Sequence, residues 1–208
     1  NTLSAQSTGP KILWLKRHEP EVYKRAHKFV TGTSFIVARL TGNFVIDHLT
    51  GSFVAPLYDL ARRKYTTELT DEIVELERLP DLAWATDIAG YVTADAAAKT
   101  GLAEGTPVIV GSADASAEAV SVGVVNAGQL MLMYGSTVFM VEVVDQPLID
   151  ERLWSVPYVF PNTYAIEAGM ATSGSLTRWF RDKLAVDLVG AERDGQLNAY
   201  SELTSRAA

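Results

Sequence analysis

The first 80 residues read as helical with punctuation, and after Pro20 apolar residues return at the spacing of a helix that buries one face. Ile12, Leu13, Trp14 and Leu15 follow Pro10, and Val22, Ala26, Phe29 and Val30 follow Pro20. Proline is tolerated in the first turn of a helix, so each proline marks a helix start. A third short helix is predicted over about 34–40, ending at Thr41-Gly42. Residues 43–69 are mixed, with turns at Gly51-Ser52 and Pro56. Thr70-Asp71-Glu72 then reads as a hydroxyl cap followed by acids that favour the positive end of a helix, which would run up to Pro80.

From Thr93 the pattern changes. Thr93 to Lys99 is Ala-rich and helical, stopped by Gly101. Val108-Ile109-Val110 is a continuous apolar run of the kind a buried strand shows. Gly111-Ser112-Ala113-Asp114 leads out of it into an Ala/Val-rich helix that reaches about Val122. Asn126-Ala127-Gly128 makes a turn, and residues 130–134 and 138–141 read as strands joined across Gly135-Ser136-Thr137. Tyr164 to Glu167 is a further strand, Ser173 caps a helix through Leu184, and the tail from about Leu188 to Arg206 is amphipathic and helical. The seam between helical and hairpin patterns falls at Asn126-Ala127-Gly128; a single domain is the alternative that the length permits.

Composition narrows the class. Of 208 residues 48% are hydrophobic and 21% charged, enough apolar material for a core and too much for a disordered chain. The formal charge of −7 and the lack of a cationic stripe argue against a nucleic-acid surface. No apolar run is long enough for a membrane span, and none resembles a signal peptide. The absence of cysteine excludes disulfides, thiolate zinc sites and thiol nucleophiles from this chain, and suits a reducing, cytoplasmic setting. The histidines, His18, His27 and His48, are scattered and all precede residue 49, so no metal cluster is expected and the last 160 residues cannot host a Ser-His-Asp relay unaided.

Three features carry candidate chemistry. Asp114 follows a strand and opens a helix, the place where functional residues gather in open α/β sheets, and a carboxylate there can take a proton from a substrate hydroxyl. The bland reading is a helix cap. Tyr134-Gly135-Ser136-Thr137 offers backbone amides and two hydroxyls to a phosphate, or is an ordinary hairpin turn. Thr172-Ser173-Gly174-Ser175 opens the helix bearing Trp179 and Phe180, where helix amides attract anions and Gly174 permits close approach, or simply caps that helix.

In order and spacing these blocks resemble the FGGY family of carbohydrate kinases, and its xylulokinase-like members in particular. Thr8-Gly9-Pro10-Lys11-Ile12-Leu13-Trp14-Leu15 with His18-Glu19-Pro20 resembles the helical segment before the Leu40-Thr41-Gly42 stop. Gly111-Ser112-Ala113-Asp114, continuing to Gly123-Val124-Val125, resembles the block holding the catalytic aspartate, and Tyr134-Gly135-Ser136-Thr137 stands where the phosphate loop does. Gly174, four residues before Arg178-Trp179, resembles the nucleotide-contacting helix start.

The resemblance implies an α/β, actin-like and ribonuclease-H-like ATPase fold of two domains around a cleft. On this basis residues 1–127 are the later part of the N-terminal, sugar-binding domain, and 128–208 the first part of the C-terminal, nucleotide-binding domain. The implied reaction is ATP-dependent phosphorylation of a sugar hydroxyl, a ketopentose such as xylulose, with ATP and Mg²⁺ as cofactors. Asp114 would be the general base and also touch the sugar. Gly135, Ser136, Thr137, Gly174 and Arg178 would handle the nucleotide, and Phe139 and Gln6 would line the substrate. A small-molecule sugar is the partner implied, without nucleic acid or membrane, and a homodimer is left open. The alternative is a non-catalytic nucleotide-binding member of the same superfamily. The family's opening Asp-x-Gly-Thr turn and its later adenine-contacting block are not in this sequence, so the segment alone is expected to be inactive. Ala115 stands where relatives carry a polar residue that touches the polyol.

Overall fold

The computed structural model describes residue 3 and residues 7–208. The chain divides into two units, one formed by residues up to 131 together with 141–167, the other by 132–140 together with 168–208.

The first unit opens as the prolines predict. Helix α1 (Thr8–His18) is followed by α2 (Pro20–Arg25), with Pro20 in its first turn. Ile12 and Tyr23 from these helices enter a core with Val54, Leu57, Ile73, Val74 and Leu79. The second helix stops short of the expected Val30, because the following backbone turns to another partner. Phe29 N donates to Arg78 O at 2.9 Å and Lys28 Nζ to Leu79 O at 2.8 Å. Helix α3 (Gly32–Thr41) ends at Gly42 as expected. Strand β1 (Val45–Asp47) runs directly into α4 (His48–Ser52), and a small hairpin of β2 (Tyr58–Asp59) and β3 (Lys64–Tyr65) comes next.

The helix expected over 70–79 does not form; only one 3-10 turn, Leu76–Arg78, stands there. Core demand overrides the local cap signal. The adjacent side chains of Ile73 and Val74 are both buried, and Lys16 Nζ takes the Glu72 carbonyl at 2.7 Å, an acceptor that a helix would need. Strand β4 (Asp81–Ala83) then lies parallel to β1, with Asp47 opposite Ala83.

Strand β5 (Ile88–Tyr91) pairs antiparallel with β6 (Pro107–Ile109), and α5 (Ala94–Thr100) lies between them in sequence. Val37, Ala89 and Val110 form a second core cluster. The apolar run at 108–110 is therefore a strand as expected, yet only Val110 is deeply buried and Ile109 is exposed. Helix α6 (Asp114–Ser121) follows.

Strands β7 (Leu130–Tyr134), β8 (Val138–Val144), β9 (Trp154–Pro157) and β10 (Tyr164–Met170) form a sheet in the order β7-β8-β10-β9. β9 and β10 are antiparallel, with Tyr164 opposite Pro157 and Glu167 opposite Trp154. In the second unit, α7 (Gly174–Leu184) leads to α8 (Val186–Arg193) and α9 (Ala199–Ala207), which resolve the helical tail into two pieces around Ala185, Leu188 and Ala199. Among the described residues no helix is long and apolar enough to cross a membrane.

Candidate functional site

Asp114 is presented by the end of β6 and the start of α6. Val110 N donates to Asp87 O and Gly111 N to Ala85 O, each at 3.0 Å, so the strand end is fixed against the segment that precedes β5. Asp114 is the first residue of α6 and is exposed; Ala113 holds the cap position and makes no side-chain cap bond. The Asp114 carboxylate accepts from Ala115 N at 2.8 Å. An acid in the first helical turn also sits well with the helix dipole.

The second unit brings Gly135 and Ser136 together with Gly174. Gly135 N donates to Thr137 O at 2.8 Å and closes the β7-β8 turn. The carbonyls of that turn then take the first amides of α7. Gly174 N donates to Gly135 O at 3.0 Å, Ser173 N to Ser136 O at 3.0 Å and Ser175 N to Ser136 O at 3.3 Å. Ser173 Oγ adds a bond to Gly135 O at 3.1 Å. A Cβ on Gly174 would overlap the Gly135 carbonyl, so the close approach that this glycine permits is made by the turn itself. The first amides of α7 are thereby taken up by the turn, and the Ser136 and Thr137 side chains stay exposed there.

Arg178 is exposed one turn along α7, with Asp182 3.6 Å away as its ion-pair partner. Phe139 lies in β8 with its ring against Gly169 of β10, where an added Cβ would come within 2.9 Å of the ring. Gln6 lies outside the described residues. A groove of about 460 Å³ opens elsewhere in the first unit, lined by residues that include Phe53, Pro56, Tyr58, Leu60, Leu153 and Trp154; among the described residues, none of the expected site residues lines it.

Residues 1–121 match the FGGY family of carbohydrate kinases, N-terminal domain. The chain belongs to the FGGY family of carbohydrate kinases. It is 32% identical to an autoinducer-2 kinase of Enterobacter sp. (strain 638), an alignment covering 98% of this chain and 39% of that protein. Among solved structures, xylulose kinase from Rhodospirillum rubrum superposes with a TM-score of 0.84 at 28% identity, covering 97% of this chain and 40% of that one. Gluconate kinase from Lactobacillus acidophilus gives a TM-score of 0.75 at 25% identity, covering 86% and 36%. The chain thus spans about two fifths of the length of these relatives. Its fold is the α/β, actin-like and ribonuclease-H-like ATPase fold, in part.

Two acids of this FGGY chain escaped the sequence reading. Asp47, at the end of β1, is 3% exposed and accepts from Thr50 N at 3.1 Å and from the Ser112 hydroxyl at 2.8 Å. A weak signal was present, an acid closing an apolar triplet just before a short helix. Glu167, in β10, is 3% exposed, and burial pushes its carboxyl up to about 7. Tyr158, whose hydroxyl donates to Val124 O at 2.7 Å, is pushed up to about 12 by its own burial first and then by the Glu167 carboxylate. His48 packs against Trp84 and shares a 3.0 Å contact with the Tyr58 hydroxyl. Burial, and then the Arg63 guanidinium, hold its imidazole below the ordinary range.

Proposed function

We propose that the full-length protein transfers the γ-phosphoryl group of ATP to a hydroxyl of a small sugar, with Asp114 as the general base. The observation that supports this reading most directly is the setting of Asp114. It is an exposed carboxylate at the first residue of a helix, after a strand end, and it is not consumed as that helix's cap. In the reaction Asp114 takes the proton of the attacking hydroxyl, the hydroxyl oxygen bonds to the γ-phosphorus, and the bond to the β-phosphate oxygen breaks to release ADP.

Gly135, Ser136 and Thr137 hold the phosphates, Gly174 and Arg178 stand on the nucleotide side, and Phe139 and Gln6 contact the acceptor. Hydroxyls and amides at an exposed turn fit phosphate oxygens, and hard oxygen donors suit a nucleotide that carries Mg²⁺. Mg²⁺, when bound, neutralises charge on the phosphates as the bond to ADP breaks. Residues 1–127 form the later part of the sugar-binding domain and 128–208 the first part of the nucleotide-binding domain, acting in the cytoplasm. The relatives favour a small polyhydroxylated acceptor. A ketopentose such as xylulose is the first proposal, and autoinducer-2 is the second because of the 32% identical relative.

The test is ADP release by the full-length protein with xylulose, gluconate and autoinducer-2 in turn. With the sugar that works, Asp114→Asn is expected to lower kcat by about 1,000-fold or more, with ATP affinity within about twofold of wild type. Turnover retained in the variant overturns the base assignment. No ADP release with any acceptor favours a nucleotide-binding protein without kinase chemistry.

A further inference from the structure

The loop that presents Asp114 is held by a buried acid from a distant part of the chain, and we propose that this tie, Asp47 to Ser112, positions the general base. The inference rests on the assignment of Asp114 to that role. Asp47 is the last residue of β1, and its place is set twice over, by the parallel pairing of β1 with β4 and by its capping bond to Thr50 N. The same oxygen, Oδ2, that accepts from Thr50 N also accepts from the Ser112 hydroxyl, 65 residues away in sequence.

Among the described residues, backbone bonds fix the loop as far as Gly111, which donates to Ala85 O. There the chain turns through φ +74°, a conformation that favours glycine. Between that turn and the helix, the Ser112 hydroxyl is the anchor the structure provides, two residues before Asp114. A hydrogen bond to a buried carboxylate is stronger and shorter than one between neutral groups, so it defines the direction in which the chain leaves the turn. Asp47 and Ser112 are positioning residues: they act through the placement of Asp114. Proton abstraction is sensitive to such placement, since a displacement of about 1 Å can cost about 100-fold in rate.

The experiment compares Ser112→Ala, Ser112→Thr and Asp114→Asn in the full-length protein, with ATP and the sugar that sustains ADP release. Ser112→Ala is expected to lower kcat about tenfold or more with KM for ATP within about twofold, and to lower the thermal midpoint because buried Asp47 loses a donor. Ser112→Thr, which keeps the hydroxyl, is expected to restore most of kcat. Wild-type kcat in Ser112→Ala overturns the proposal, as does a loss that Ser112→Thr leaves unrestored. Asp114→Asn separates this result from the functional reading. If that variant is inactive while Ser112→Ala turns over normally, the base assignment stands and the tie has no positioning role. If Asp114→Asn turns over normally, the assignment falls and the proposal with it.

Discussion

Gly174 shows how much one hydrogen atom in place of a side chain decides. The first amides of α7 are satisfied by the carbonyls of Gly135 and Ser136, and this seating exists because nothing projects from Gly174. Gly174→Ala sets a methyl group against backbone atoms, which cannot swing aside as a side chain end can. The variant is expected to lose about 1–3 kcal/mol of stability and to bind ATP more weakly. Urea denaturation and an ATP titration measure the two effects. Unchanged stability together with unchanged ATP affinity would show that the turn and helix are not coupled. In sequence Gly174 reads as room for a ligand's close approach; in the fold the approaching group is the chain's own carbonyl. The place of Asp114, after a strand end and at a helix start, is readable because strand, turn and helix are local in sequence. That of Asp47 is not, because its bond to Ser112 joins positions that no local pattern connects.

At the scale of elements, helices with a cap and a stop in sequence formed where expected, and the one without support from its surroundings did not. Thr93 caps α5, its hydroxyl accepting from Ala96 N at 3.2 Å, and Gly101 ends it. Thr70 looks much the same in sequence, yet no α-helix follows it, since Ile73 and Val74 are drawn together into the core and Lys16 occupies the Glu72 carbonyl. The short strands β1, β4 and β9 were also missed, because three or four residues give too little alternation to stand out. Paired substitutions measure the difference. Thr93→Ala is expected to cost about 1 kcal/mol, the usual worth of a hydroxyl cap. Thr70→Ala is expected to cost less than about 0.5 kcal/mol, since the half-buried Thr70 hydroxyl accepts a long, 3.3 Å bond from Glu72 N and there is no helix to lose. Urea midpoints at constant slope give both values, and equal losses would mean that the 70–79 segment draws helical stabilisation from Thr70 after all.

For the molecule as a whole, two groups act on the pH dependence of stability near neutral pH with opposite signs, the buried acid Glu167 and the imidazole of His48. The chain is acidic, −7 at neutral pH, but most of its perturbed carboxylates, such as half-buried Asp59 and Asp182 and exposed Asp95, are held low by hydrogen bonds and by Arg or Lys neighbours. Their contributions fade only as pH falls well below the neutral range, and solvent keeps them small. Glu167 works in the opposite sense. Its carboxyl is raised from 4.5 to about 7 by burial, so between those values the folded chain keeps a proton that the unfolded chain has released. At this site the folded state binds more protons in that window, so the Glu167 contribution to stability falls as pH rises through it and levels off above about pH 7. A shift of that size corresponds to roughly 3 kcal/mol. Glu167→Gln keeps the shape and removes the charge, and should therefore match wild type near pH 5 and exceed it by about 2–3 kcal/mol at pH 8. Denaturation of both proteins from pH 5 to pH 8 is the measurement. If the two curves run parallel, Glu167 ionises in the folded state without penalty, and the strand pair β9-β10 must admit water to its carboxylate.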